Sequence, residues 1–243
     1  MPRNLIVIPA WNEADSIARV LGGLEVLPEG FEIIVINDGS LDATADIASE
    51  VANNLPLPCR IVSLAFNAGI GVAVQTGYQY AVLDGGFDYV IQFDGDGQHD
   101  PGYIVPLVDA CESEAADLCV GSRFLGSGRG DRSTVCRRIG ISVIRFVIRL
   151  LTGRRLTDPT SGFRCAGRRA WSSFAKIYPD DYPEPESLVW CLRNGLRTIE
   201  VPVEMQSRLN GRSSIGRLQG LYYLMKVTCA LVLDRCRSRE VPS

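Results

Sequence analysis

Two aspartates one residue apart, Asp94 and Asp96, stand among glycines in the run Phe93-Asp94-Gly95-Asp96-Gly97-Gln98-His99-Asp100. Carboxylates at this spacing, placed after an apolar run, can hold a hard divalent cation while the cation binds phosphate oxygens. An EF-hand calcium loop is excluded, because its twelfth position, counted from Asp94, is Val105 and not a glutamate. A ligand-free Asp/Gly turn is the alternative. His99, the sole histidine, reads as a neighbour of this turn and not as a ligand. Asp38, in Ile36-Asn37-Asp38-Gly39-Ser40, can accept hydrogen bonds from a base or ribose, or cap the helix that follows. Asp158 either acts on a substrate or caps the turn at Pro159. Glu184 and Glu186, separated by Pro185, are substrate-contacting or catalytic carboxylates, or acids at a helix start, where the dipole favours them. Arg208, Arg212 and Ser213-Ser214 form a polar segment able to close over a ligand, or a surface loop.

These residues need a scaffold, and the first 120 residues describe one. Strand-like runs at Leu5–Ile8, Ile33–Ile36, Arg60–Leu64, Tyr89–Phe93 and Leu118–Val120 alternate with helical spacing near 13–27, 42–54, 69–83 and 101–114. This is the pattern of βαβ units around a mostly parallel sheet covered on both faces. The Asp94 turn then falls at the C-terminal end of a strand, where open α/β sheets bind ligands. Beyond residue 121 the pattern loosens. Gly126–Gly130 reads as a loop, Ile139–Leu151 as a helix, and the stretch through Arg164 as a polar loop. A helix follows at 167–177, a loop at Tyr182–Glu186, a further helix to Asn194, a strand at Arg197–Val203 and an apolar helix at Leu218–Leu233. One domain over residues 1–215, with residues 216–243 as a C-terminal helix packed on it or at a membrane surface, is the expected organisation.

Composition removes several classes. A dinucleotide fold lacks its glycines, because Pro9-Ala10-Trp11-Asn12-Glu13 follows the first strand and Gly69-Ile70-Gly71 reaches Val74 at the third glycine position. A P-loop is absent, since the only lysines are Lys176 and Lys226. Eight cysteines without a CxxC pair imply reduced, mostly buried thiols, and the early first strand leaves no room for a leader, so a cytoplasmic protein is expected. Charge is divided: residues 1–120 carry 3 basic and 18 acidic side chains, and the remainder carries 22 and 10. A basic second half suits an anionic partner. Nucleic acid is disfavoured, because the aromatics there do not interleave with the arginines as a stacking platform.

In order, Pro9-Ala10-Trp11-Asn12-Glu13, Asn37-Asp38-Gly39-Ser40, Asn67-Ala68-Gly69 and Asp94-Gly95-Asp96-Gly97-Gln98 resemble the motifs of family 2 glycosyltransferases with the GT-A fold. Gly121-Ser122-Arg123 and Thr157-Asp158-Pro159-Thr160-Ser161-Gly162-Phe163-Arg164 are similar to the polyprenyl-phosphate sugar transferases, relatives of dolichyl-phosphate mannose synthase. The resemblance spans about residues 4–215. It implies an inverting transfer of a sugar, a hexose by expectation, from a nucleotide-sugar donor. Pro9, Ala10, Asn12, Glu13, Asp38, Asn67 and Gly71 would line the donor site with Asp94 and Gly95. Asp94, Asp96 and Gln98 would ligate Mg²⁺ or Mn²⁺. Asp158, Asp96 and Arg123 would be catalytic, while Glu184, Glu186 and Arg208 would complete the substrate site. One departure is Asn37, where the usual motif has a first aspartate.

The implied acceptor is a polyprenyl phosphate; a growing cell-envelope glycan, or a non-catalytic role beside a membrane protein, are the alternatives. Neither Ile139–Leu151 nor Leu218–Leu233 reaches the roughly 20 apolar residues of a spanning helix. The first carries Arg145 and Arg149 after Arg137-Arg138, so a peripheral contact at the cytoplasmic face of a membrane is expected, against a plain core helix.

Overall fold

The protein is described by a computed structural model that covers residues 2–125, 135–180, 182–206 and 226–230, with the backbone alone at 135–137. Seven strands form its sheet: β1 (Asn4–Ala10), β2 (Phe31–Asn37), β3 (Cys59–Ser63), β4 (Tyr89–Gln92), β5 (Leu118–Ser122), β6 (Arg164–Gly167) and β7 (Thr198–Pro202). Their order is β3-β2-β1-β4-β6-β5-β7. All neighbours run parallel except β6, which is antiparallel to both β4 and β5. The helices are α1 (Ile17–Gly23), α2 (Thr44–Ala52), α3 (Ile70–Asp84), α4 (Ile104–Ser113), α5 (Val135–Thr152), α6 (Arg168–Lys176) and α7 (Pro183–Arg193).

Alternation along the strands divides the core into two layers. Leu5, Val7, Ile34, Ile36 and Val90 face α3, α6 and α7, packing on Tyr78, Phe174 and Leu188. Ile6, Ile8, Ile33, Val35 and Ile91 face α1 and α4, packing on Ile17, Leu21 and Leu107. Each fully buried aliphatic side chain contributes about 1.5–3 kcal/mol. The two layers explain why the central strands read as apolar on every residue.

Two segments differ from the sequence reading. The polar loop expected through Arg164 ends in β6, a four-residue strand without alternation that exists because β4 and β5 pair with it from both sides. The loop expected at Tyr182–Glu186 is the first turn of α7. Pro183 and Pro185 are compatible with that turn, whose N–H groups have no partner within the helix. The other boundaries shift by a few residues, as where α1 starts at Ile17 instead of near 13. Of the expected C-terminal helix only residues 226–230 are described, and they are helical, with Val227 buried. The boundary placed at 215 and the loop at Gly126–Gly130 lie outside the described residues.

Because β1, β2, β4, β5 and β7 point the same way, their C-terminal ends share one edge of the sheet. The antiparallel β6 begins at that edge, so the crossing at residues 157–163 arrives there as well.

Candidate active site

The loops that follow β1, β2 and β4 are bound to one another by their backbones. Asp38 N donates to Ala10 O (2.8 Å) and Gly95 N to Pro9 O (3.3 Å), which ties the ends of β1, β2 and β4 together. Asn12 takes a left-handed conformation (φ 53°), which asparagine tolerates. Its N–H donates to Ser40 Oγ (3.0 Å) and its Oδ1 accepts from Leu41 N (2.9 Å). Glu13 N donates to Thr44 Oγ1 (2.8 Å). The Ser16 hydroxyl lies 2.8 Å from Glu13 Oε2 and 2.7 Å from Gly95 O, linking α1 to the Asp94 turn. Trp11, half-exposed between Ala10 and Asn12, was given no role from sequence, although an exposed ring in this motif can stack a base.

Asp38 is buried, and both of its oxygens are engaged. Oδ1 accepts from Ala68 N (2.8 Å) and Oδ2 from Gly69 N (2.9 Å). It holds the Asn67-Ala68-Gly69 loop and does not cap α2. Gly39 permits the same approach: a Cβ there would stand 2.4 Å from the carbonyl carbon of Phe66. Asn67 itself is exposed beside this clamp. Asp38→Asn turns an amide N–H toward a backbone N–H, and is expected to cost about 1–3 kcal/mol in urea unfolding. Unchanged stability would remove the clamp assignment. Gly71 serves packing, since a Cβ would lie 2.3 Å from Pro179 O.

The Asp94 turn follows β4. Asp94 N donates to His99 Nδ1 (3.0 Å), which leaves the neutral ring's proton on Nε2, 3.6 Å from Asp94 Oδ2. His99 is buried, stacked on Phe163 at 4.8 Å, and so supports the turn as expected of a neighbour. Gln98 N donates to Asp96 Oδ1 (3.0 Å), and Gln98 O accepts from Gln206 N (2.8 Å). Gly162, on the 157–163 crossing, comes so close that a Cβ would sit 2.9 Å from Asp94 Oδ2. The two carboxylates are half-buried. Among the described residues no third His, Cys, Asp or Glu joins them as a metal cluster. A pair of oxygen donors fits a hard cation that takes its remaining ligands from phosphate and water, which is how Mg²⁺ is usually bound.

Arg123 follows the end of β5. Asp158 is 0% exposed and accepts from Arg123 Nε (2.6 Å), Nη2 (2.7 Å) and backbone N (3.1 Å). As placed, both Asp158 carboxylate oxygens meet the Arg123 guanidinium. Thr160 Oγ1 accepts from Arg123 Nη2 at 2.9 Å.

Arg164 had no assigned role in the sequence reading, yet it is 1% exposed. It donates to Ser161 O (2.7 Å), Ser187 Oγ (2.7 Å) and Glu184 O (2.8 Å), joining the crossing to the first turn of α7. The signal was an arginine at the head of a short apolar run. Burial pushes the Glu184 carboxyl up from its ordinary value; Arg164 pulls it back, Asp94 adds to the rise and Arg123 opposes it. The structure therefore brings Glu184 toward Asp94 and Arg123. Glu186 lies on the same turn, half-buried. Arg208 and Arg212 lie outside the described residues.

The family model for glycosyl transferase family 2 matches residues 5–174. Polyprenol monophosphomannose synthase of Mycolicibacterium smegmatis is 29% identical over 217 residues, spanning 88% of this chain and 81% of the relative. UDP-N-acetylglucosamine–dolichyl-phosphate N-acetylglucosaminyltransferase of Methanococcus voltae is 27% identical over 247 residues, spanning 94% and 97%. Among solved structures, glucosyl-3-phosphoglycerate synthase of Mycobacterium tuberculosis, in complex with Mn²⁺, UDP-glucose and phosphoglyceric acid, is similar with a TM-score of 0.71 at 21% identity. That likeness covers 99% of this chain and 81% of the other, and it is one of fold.

Proposed function

Since the chain belongs to glycosyl transferase family 2, we propose that it transfers a sugar, with inversion, from a nucleotide-diphosphate donor to a polyprenyl phosphate. The observation that carries the reading is the meeting of the Asp94 turn with the 157–163 crossing at Gly162, the same crossing that anchors Arg123 through Asp158. Asp94 and Asp96, with the Gln98 side chain, are the residues to hold Mg²⁺ or Mn²⁺, which when bound supplies positive charge to the departing diphosphate. The loops of β1 and β2 orient the nucleoside. Arg123 faces the acceptor phosphate, which is already ionised and requires positioning more than a general base. The relatives differ in the sugar they name, mannose and N-acetylglucosamine, so the donor is to be found by trial. A thermal-shift panel of nucleotide sugars with and without Mn²⁺ is expected to show metal-dependent stabilisation by one of them. Sugar transfer to a short-chain polyprenyl phosphate is then measured with that donor. Stabilisation by none of the panel would overturn the donor assignment.

The desolvated Glu184 supports a second reading, in which a glycan hydroxyl is the acceptor and this carboxyl takes its proton. Transfer to a soluble glycan, abolished in Glu184→Gln, would favour it.

Contact with a lipid surface belongs to the first reading. Among the described residues no helix is long and apolar enough to cross a membrane. The α5 helix turns Ile141, Ile144 and Ile148 inward and leaves Ile139 (59%), Phe146 (66%) and Leu150 (70%) exposed. Arg138 lines an open groove of about 430 Å³ with Ile139, Ser142, Val143 and Phe146. Arg149 is exposed near its end. Arg145 differs from expectation: its guanidinium lies over the Phe124 ring at 4.3 Å, toward the site and not toward lipid. The side chain of Arg137 lies outside the description. Each near-surface arginine contributes about 1 kcal/mol with anionic lipid, screened over roughly 8 Å at physiological salt. Binding to phosphatidylglycerol vesicles should weaken as salt rises and weaken further in Phe146→Glu and Arg149→Glu. Absent or salt-independent binding counts against this surface.

A further inference from the structure

We propose that Glu200, on the edge strand β7, is a positioning residue that sets the Arg123 guanidinium through the backbone of Thr157 and Asp158; this rests on the reading of Arg123 as the phosphate-facing group. Glu200 lies opposite Val120 in the parallel β5–β7 pairing, one strand away from the end that carries Arg123. Its side chain turns to the 157–158 segment. Oε1 accepts from Asp158 N (2.7 Å) and Thr157 N (2.9 Å), and Oε2 from Thr157 N (2.7 Å). A carboxylate that receives successive backbone N–H groups makes charge-assisted bonds, about twice as strong as neutral ones.

A second tie holds the same segment, where Thr157 Oγ1 lies 2.6 Å from Ser122 Oγ at the end of β5. The segment then presents three oxygens to one guanidinium: Asp158 Oδ1, Asp158 Oδ2 and Thr160 Oγ1. Thr160 Oγ1 also donates to Asp158 Oδ1 at 3.2 Å. The Arg123 side chain thus takes its plane chiefly from Asp158, whose backbone N–H is held by Glu200. An edge-strand acid would ordinarily serve to discourage strand pairing. This one instead spends both oxygens on two N–H groups of the segment beside the site.

The test begins with a readout that needs no substrate. In protein labelled with ¹⁵N-arginine, the Arg123 Nε–H resonance, identified by its loss in Arg123→Lys, should be sharp and protected from exchange. Glu200→Ala should broaden it or speed its exchange, and Glu200→Gln, which keeps the Oε1 acceptor but turns an amide N–H toward Thr157 N–H, should restore it in part. If Glu200→Ala does not fold, Glu200→Asp, which withdraws the carboxylate by one methylene, is read in the same way. Transfer is then followed with UDP-N-acetylglucosamine and GDP-mannose offered to a short-chain polyprenyl phosphate. Glu200→Ala should raise the acceptor KM and lower kcat/KM by up to about 10²-fold, the scale of a small misplacement, with nucleotide affinity unchanged. Added to Arg123→Ala it should cost less than about twofold more, because coupled residues are not additive. An unchanged Arg123 resonance in Glu200→Ala, or full additivity in the double variant, would overturn the proposal. A mobilised Arg123 with no transfer to the lipid phosphate would uphold the positioning and count against the acceptor assignment instead.

Discussion

Asp96→Asn is expected to lower sugar transfer by on the order of 10²–10³-fold in a protein that remains folded, the loss typical of removing one charge-stabilising group from a reacting centre. The fold should survive because asparagine keeps the Oδ1 acceptor for Gln98 N, so the turn retains the bond that shapes it. What disappears is the charge, and charge is what retains a hard cation. Gln98→Ala should cost less, since the N–H and carbonyl of Gln98 do the pinning and both survive in alanine. The measurements are kcat/KM as a function of Mn²⁺ and the Mn²⁺-dependent part of the donor's thermal shift. Turnover at the normal rate by metal-stripped Asp96→Asn would remove the metal from the mechanism.

The part of the candidate site built on β1, β2 and β4 was legible because its pieces are local. Each motif follows a strand announced by β-branched residues, and parallel strands deliver their ends to one edge, so Pro9–Glu13, Asp38 and the Asp94 turn meet without further information. The part built on β5, β6 and the 157–163 crossing was not legible in the same way. The strand β6 is Arg164-Cys165-Ala166-Gly167, with no β-branched residue, and its pairing is decided by β4 and β5 from far away in the chain. The roles of Asp158 and Arg123 depend on that pairing, because it brings the crossing within 2.6 Å of the guanidinium. Asp38 shows the limit even on the legible side: its position was clear, but both oxygens serve the Ala68–Gly69 backbone, some thirty residues ahead. In α7, two prolines beside two acids looked like a loop until the helix beyond them fixed the turn.

Arg164→Leu is expected to destabilise the protein by on the order of 3–5 kcal/mol. The variant takes a charged donor away from four interior acceptors, Ser161 O, Ser187 Oγ, Glu184 O and, at 3.5 Å, Pro159 O. Ser187 Oγ keeps its bonds to Pro183 O and Glu184 O, so Ser187 Oγ and Glu184 O are less affected than Ser161 O. At about 2–4 °C per kcal/mol for a chain of this length, the Tm should fall by roughly 6–20 °C. Arg164→Lys should recover only part, because an ammonium on one stem cannot reproduce a planar fork that reaches two segments at once. The loss should also be visible at the site. The crossing that Arg164 ties to α7 carries Gly162 against Asp94, and Arg164 is the charge that most lowers the Glu184 carboxyl. Removing it should therefore raise the Glu184 pKa further and keep that carboxyl protonated to higher pH. In a variant that is still folded at low temperature, transfer should fall together with the Tm. A stable Arg164→Leu protein with full transfer activity would mean that the crossing is held by other contacts and that the buried arginine is dispensable to both fold and site.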